Sequence, residues 1–281
     1  MISLLVMICF IAHILGDFYL QTDKMATSKL TAWKGLLFHG LIYFVPFLLA
    51  FVMFEYSAIM ILILLLIGTS HLLVDTLKFV YYKVIGTTDR DKRVQTGAYL
   101  YLLDQGVHII AIIVICYLFQ AYEFNINNWV ISLLQVLPVP IFELLKWLLL
   151  LLLLNRPVNI TIHQLFSFYK PKEKEKRKED SVIMKIIAAS TGTTKQFDES
   201  EEETDKKDSD KKAGALIGFL ERILIVIFLS VSQYAAIGFV LTAKSIVRYD
   251  RIAKDQEFSE YYLIGTLFSF IAALVSYYLI F

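Results

Sequence analysis

SAIMILILLLIGTSHLLVDTLKFVYY, residues 57–82, decides the fold. Its first half is an unbroken apolar run, and the whole stretch is long enough for a membrane-spanning helix, which needs about 20 mostly apolar residues. Inside it stand His71 and Asp75. Residues four apart share a helix face, so this ionisable pair points one way. Ionisable groups at that depth cost several kcal/mol in lipid, so the pair must face other protein. One stretch therefore predicts a helix, a bilayer around it and a polar interior shared with neighbouring helices.

Comparable segments lie on both sides, roughly 1–21, 33–54, 98–120, 129–154, 213–243 and 260–281, which predicts an all-α polytopic membrane protein of about seven transmembrane helices. The composition agrees, with 57% hydrophobic and 19% charged residues in 281. The lipid bilayer is the first partner implied. The leading segment has no basic start, carries His13 and Asp17 where a signal peptide is apolar, and ends without a small-residue cleavage pattern, so it reads as a mature helix. Cys9 and Cys116 fall inside apolar segments and read as core residues. A formal net charge of +1 gives no nucleic-acid footprint, and no glycine-rich phosphate loop is present. No motif sets an oligomeric state.

Lys24, Lys29 and Lys34 separate the first two helices, and Lys83, Arg90, Lys92 and Arg93 the third and fourth, whereas the turns near Glu55 and Glu123 lack basic residues. The positive-inside rule places the basic loops in the cytoplasm. Residues 1–154 then form an N-terminal membrane module, 155–212 a charged cytoplasmic linker, and 213–281 a two-helix C-terminal module. Lys172–Asp180 and Asp198–Lys212 are mixed-charge runs without apolar period, which predicts a solvated, flexible linker. Within it, Arg156–Tyr169 reads as an interfacial helix, Ser181–Ala189 as a short surface helix and His163 as ordinary surface. Simple alternation puts Lys244, Arg248, Arg251 and Lys254 outside, against the rule. A broken fifth helix, permitted by Pro138 and Pro140, is one way out, and dominance of the early helices is another.

Four of the five histidines fall one to a helix in the first four: His13, His39, His71 and His108. Asp17, Asp75 and Asp104 each lie four residues from one of them. With a 1.5 Å rise per residue, Asp17, His39, Asp75 and Asp104 sit roughly 7–12 Å from the cytoplasmic helix ends, and His13, His71 and His108 roughly 14–18 Å. Neutral imidazole and carboxylate at one level suit a divalent transition metal, Zn, Mn or Fe. All seven residues are candidate ligands, with Asp17, Asp75 and Asp104 also candidates for the catalytic base or for orienting the imidazoles. Gln21 and Gln105 are placed to position substrate or water. The two HxLxD pairs, His13–Asp17 and His71–Asp75, each followed by a helix with one histidine, suggest a weak internal repeat.

In the C-terminal module Gly214 and Gly218 form a GxxxG, which would allow close helix contact. Glu221 is expected to pair with Arg222 or with a basic group of a neighbouring helix. Tyr261 and Tyr262 read as interfacial anchors. A second polar site with Gln233, Lys244 and Arg248 is the functional alternative.

HILGDFYLQTDKMA at 13–26, KGLLFHGLIY at 34–43, GTSHLLVDTLK at 68–78 and LLDQGVH at 102–108 resemble the bacterial membrane family catalogued as domain of unknown function 3307. GALIGFLER at 214–222, AAIGFVLTAKSI at 235–246 and YLIGTLFSF at 262–270 look like the C-terminal part of its longer members. The resemblance implies a bacterial inner-membrane location and no particular activity. In pattern, the helical His/Asp arrangement is also similar to inner-membrane proteins labelled metal-dependent hydrolases, including the LexA-regulated type. The expected function is a metal-dependent hydrolase of a membrane-borne substrate. The rivals are a proton or metal-ion transporter or channel using the same cluster, and a non-catalytic scaffold or signalling protein.

Overall fold

The computed structural model describes residues 4–85, 90–122, 124–136, 139–166 and 199–281, with the backbone alone for 90–94 and 199–212. Every regular element among the described residues is a helix. Five helices are long and apolar enough to cross a membrane: Trp33–Phe51, Ala58–Val84, Gln95–Leu118, Ala213–Ser230 and Gln256–Ile280. A sixth span is counted if Leu4–Tyr19 and Asp23–Thr31, bent by 87°, act as one. The chain is thus a polytopic helical membrane protein.

Two of the seven expected spans are divided. Residues 129–154 give a short helix, Asn128–Leu134, and a second, Ile141–Leu154, that begins directly after Pro140. Proline cannot donate a backbone bond and forces the preceding residue out of helical geometry. Pro138 lies outside the described residues. The expected span 213–243 breaks at Ser232, whose φ of 56° is left-handed. Ser232 N–H donates to Leu229 O and Gln233 N–H to Phe228 O, a helix-ending pattern that reverses the chain.

By contacts the chain divides into two units: Met1–Phe168 with Leu274–Phe281, and Tyr169–Ala273. In the first, α1 (Leu4–Ile14) continues into a π-helical turn (Leu15–Tyr19). Then come α2 (Asp23–Thr31), α3 (Trp33–Phe51), α4 (Ala58–Val84) and α5 (Arg90–Leu118). The short α6 (Asn128–Leu134), α7 (Ile141–Leu154) and α8 (Arg156–Phe166) follow.

Each long helix buries one stripe at three- or four-residue spacing, and every stripe changes character partway along. On α4 it runs Met60, Ile63, Ile67, His71, Asp75, Phe79. On α5 it runs Asp104, His108, Ile112, Ile115. On α1 and the π turn it runs Leu5, Cys9, Ala12, His13, Asp17, and on α3 Leu36, His39, Tyr43, Phe47. The apolar halves meet as one core that joins Cys9, Phe47, Ile63, Ile67, Ile112 and Cys116. The ionisable halves therefore meet at the other end of the same bundle. Outward residues such as Leu41, Leu49, Leu73 and Ile110 are exposed, as a lipid-facing surface requires.

At the apolar end the two turns without basic residues lie together. Phe54 and Ile126 form an isolated bridge, and Asn127 Nδ2 donates to the Val52 and Phe54 carbonyls. At the polar end α2 folds back and packs on α3 and α4. The return is tight, because a Cβ on Gly35 would lie 2.6 Å from the backbone carbon and oxygen of Ser28. Only glycine fits there.

In the second unit α9 (Glu199–Ser230) and α10 (Tyr234–Val247) form an antiparallel pair, followed by α11 (Tyr249–Lys254) and by α12 (Gln256–Ile280) as far as Ala273. The expected flexible run 199–212 is helical in its backbone. Its acids precede its bases by four residues, as in Glu202 with Lys206 and Glu203 with Lys207, a spacing that favours helix. The expected linker helix Ser181–Ala189 and the run Lys172–Asp180 lie outside the described residues. Because α10 doubles back along α9, Lys244, Arg248, Arg251 and Lys254 lie toward the end where α9 enters. Glu221 pairs with Lys244, the neighbouring-helix alternative, and Arg222 donates to Ser269 Oγ at 3.1 Å. The GxxxG expectation does not hold: a Cβ on Gly214 would have nothing within 4 Å, and one on Gly218 would meet the guanidinium of Arg222 at 3.3 Å.

Candidate metal centre

The π turn sets the first carboxylate. Leu20 N–H donates to Leu15 O, five residues back, at 2.9 Å. The wider turn brings residues four apart closer to one line, so His13 and Asp17 face the same point. Two outside groups hold the end of this turn. Arg156 Nη1 donates to the carbonyls of Phe18 at 3.0 Å and Tyr19 at 3.2 Å, and Tyr19 Oη donates to Leu152 O at 3.0 Å. Only the first of the two HxLxD pairs carries such a turn, so the two are not structurally equivalent.

All four membrane histidines and all three aspartates are brought together and buried. The imidazoles form a chain. His39 Nε2 lies 3.2 Å from His71 Nε2, and His71 Nδ1 lies 2.9 Å from His108 Nε2. His13 Nδ1 shares a hydrogen bond of 3.1 Å with the hydroxyl of Tyr43, whose ring stacks on His71 with centroids 3.6 Å apart. Among the carboxylates, Asp17 and Asp75 each place an oxygen 3.3 Å from His39 Nε2. Gln105 Nε2 donates to Asp17 Oδ2 at 2.7 Å and to Asp104 Oδ2 at 3.3 Å. Gln21 Oε1 is buried with no hydrogen-bond partner, and no bond ties it to the cluster. His163 is exposed on α8.

Three members of the cluster were not expected. Lys29, assigned to a cytoplasmic loop, is 6% exposed, and its ammonium donates to both oxygens of Asp75 at 3.2 Å. It also lies 3.6 Å from Asp17 Oδ1 and 3.3 Å from His39 Nε2. Lys78 donates to Asp104 Oδ2 at 2.9 Å. Tyr43 is the third. Two of the three have a signal in the sequence: Lys78 continues the His71–Asp75 face at i+7, and Tyr43 follows His39 by four. Lys29 has none, because it arrives only through the 87° bend before α2.

Among the described residues two groups have the composition and spacing to hold an ion: His13, Asp17 and His108, and Asp17, His39 and His71. In each, one ligand atom per residue lies within 4.8 Å of the others. The groups differ in what already engages them. The second shares its space with the ammonium of Lys29. The first meets that ammonium only through Asp17 Oδ1, at 3.6 Å, and His13 Nε2 and His108 Nδ1 are buried without a hydrogen-bond partner. A buried unsatisfied polar atom costs about 1–3 kcal/mol, so two imidazole nitrogens left so in one triad fit a bound ligand. Neutral imidazoles and a carboxylate are donors that Zn, Mn or Fe accept.

The fold and site together define a polytopic helical membrane protein with a buried His/Asp/Lys cluster able to hold a metal ion. Over residues 5–137, which contain every member of that cluster, the chain matches the model of the family described as protein of unknown function, DUF3307. No curated protein and no solved structure matches the chain.

Proposed function

We propose that the chain binds a single divalent transition metal ion through His13, Asp17 and His108 and hydrolyses a membrane-borne substrate there. The observation that carries this reading is the pair of unpartnered imidazole nitrogens, His13 Nε2 and His108 Nδ1, at ligand spacing beside Asp17. Two imidazoles and one carboxylate leave coordination positions open, the pattern of catalytic rather than structural sites. An ion so held supplies Lewis acidity and a water activated near neutral pH.

The rest of the cluster has separable roles. Gln105 ties Asp17 to Asp104 and fixes the carboxylate orientation. Asp104 Oδ1 has no hydrogen-bond partner, so Asp104 is the carboxylate left to accept a proton. Asp75, gripped through both oxygens by Lys29, is a positioning residue. Tyr43 fixes His13 through Nδ1 and leaves Nε2 for the ion. The burial of the cluster among membrane helices is what favours a lipid-linked or otherwise membrane-borne substrate.

The test is elemental analysis of protein purified in detergent, with Zn²⁺ and Mn²⁺ titration, followed by hydrolysis assays on lipid-linked esters and phosphoesters. About one ion per chain, lost in His108→Ala together with hydrolysis, is expected. Protein that contains no stoichiometric transition metal and binds none on titration overturns the proposal. The continuous chain His39–His71–His108 favours a second reading, passage of protons or metal ions. Flux in reconstituted vesicles that vanishes on Asp75→Asn, with no hydrolysis by the wild type, would select it.

A further inference from the structure

We propose that Lys29 is a tethered cation standing in a second divalent-metal subsite built from Asp17, His39, His71 and Asp75. The proposal rests on the metal reading above and extends it to a second position. Its grounds are the placement of one ammonium group. Lys29 Nζ meets Asp75 through both oxygens at 3.2 Å, Asp17 at 3.6 Å and His39 Nε2 at 3.3 Å. Asp17, His39 and His71 alone already satisfy the spacing an ion requires. Asp75 Oδ2, 3.3 Å from His39 Nε2 and 3.8 Å from His71 Nε2, adds a fourth ligand atom at the same point. This is a two-imidazole, two-carboxylate set, and the only cation among these ligands is Lys29.

Charge gives the same answer. Asp17 and Asp75 carry two negative charges, and Lys29 returns one. Removing the ammonium leaves two buried carboxylates facing each other across His39, the charge that a divalent ion neutralises. Asp17 belongs to both groups, so it would bridge the two positions, as in paired-metal sites. The delivery of Lys29 supports a role as a movable plug. It comes from the nine-residue α2, set at 87° to the preceding helix and joined to it by a short link, rather than from a bundle helix.

The experiment counts Zn²⁺ bound per full-length chain in detergent, after titration and desalting, for wild type, Lys29→Met and Lys29→Arg. Lys29→Met is expected to hold one more ion than wild type, and Lys29→Arg the same number. Adding Asp75→Asn to Lys29→Met should restore the wild-type count. Should Lys29→Met fail to fold, Lys29→Gln keeps the length and polarity while removing the charge, and the same gain is expected. Equal counts in wild type and the neutral variant overturn the second subsite, while one ion in both leaves the single-ion reading intact. No ion in wild type but one in Lys29→Met upholds the subsite and removes the single-ion reading. No ion in either overturns both.

Discussion

Gly16→Ala should loosen the cluster without touching any of its ionisable groups. Gly16 lies in the π turn, where a Cβ would sit 2.9 Å from Tyr43 Cδ2, 3.2 Å from Tyr43 O and 3.3 Å from Tyr43 Cα. Two of those atoms are backbone, so rotating the ring does not relieve the contact. The π turn and α3 must separate by a few tenths of an ångström. Overpacking of this kind costs about 1–3 kcal/mol. The same Tyr43 holds His13 at 3.1 Å and stacks on His71 at 3.6 Å, so the separation is passed to both imidazoles. Loss of the His13 bond adds about 1 kcal/mol. Together the unfolding equilibrium should shift by about 100-fold, at roughly 1.4 kcal/mol per tenfold. Zn²⁺ affinity should fall about tenfold or more. Gly106→Ala is the control, since a Cβ there meets nothing within 4 Å. It should be neutral, or stabilising by up to about 1 kcal/mol through helix propensity. Reversible unfolding in mixed micelles and Zn²⁺ titration measure both quantities. A Gly16→Ala protein that matches Gly106→Ala in stability and affinity would refute the close-approach argument.

His108→Ala removes a ligand of the proposed ion and the end of the imidazole chain. Zn²⁺ affinity, read by titration, should drop more than the roughly 10–100-fold typical of residues that only orient ligands. Lys78→Met strands Asp104 in a buried site and should destabilise by about 3–5 kcal/mol in micelle unfolding, while Lys78→Met with Asp104→Leu should recover most of that loss. Arg156→Gln gives up two bonds to the carbonyls closing the π turn, and should cost about 1–3 kcal/mol together with a measurable loss of Zn²⁺ affinity through Asp17. An Arg156→Gln protein with unchanged affinity would separate the π turn from the metal site.

The bundle was legible because its stripes are periodic. His71 and Asp75 occupy the same three- and four-residue register as Ile63 and Ile67, so the sequence places them on the buried face before any contact is known. Asp104 and His108 continue into Ile112 in the same way. Reasoning from periodicity ends where the chain leaves its regular path. The π turn at Leu15–Tyr19 has no signature that distinguishes it from ordinary helix. The bend before α2 converts Lys29 from an apparent loop charge into the most connected cation of the cluster. The same limit explains the C-terminal module, where Ser232 adopts a left-handed conformation that favours glycine, and thereby divides an otherwise continuous apolar run.

The charge balance of the cluster narrows what can complete it. Three carboxylates face two ammonium groups, so with neutral imidazoles the buried network carries one net negative charge. In a bilayer an uncompensated charge is costly, and either a proton or a metal ion would remove it. The two completions differ in what they do for His13 and His108. A proton placed anywhere on the imidazole chain neutralises the excess yet satisfies at most one of the unpartnered atoms His13 Nε2 and His108 Nδ1. An ion within reach of the triad engages one atom from each residue at once, with a divalent charge that exceeds the deficit by one. An anionic ligand or a deprotonated water on the ion would offset that surplus.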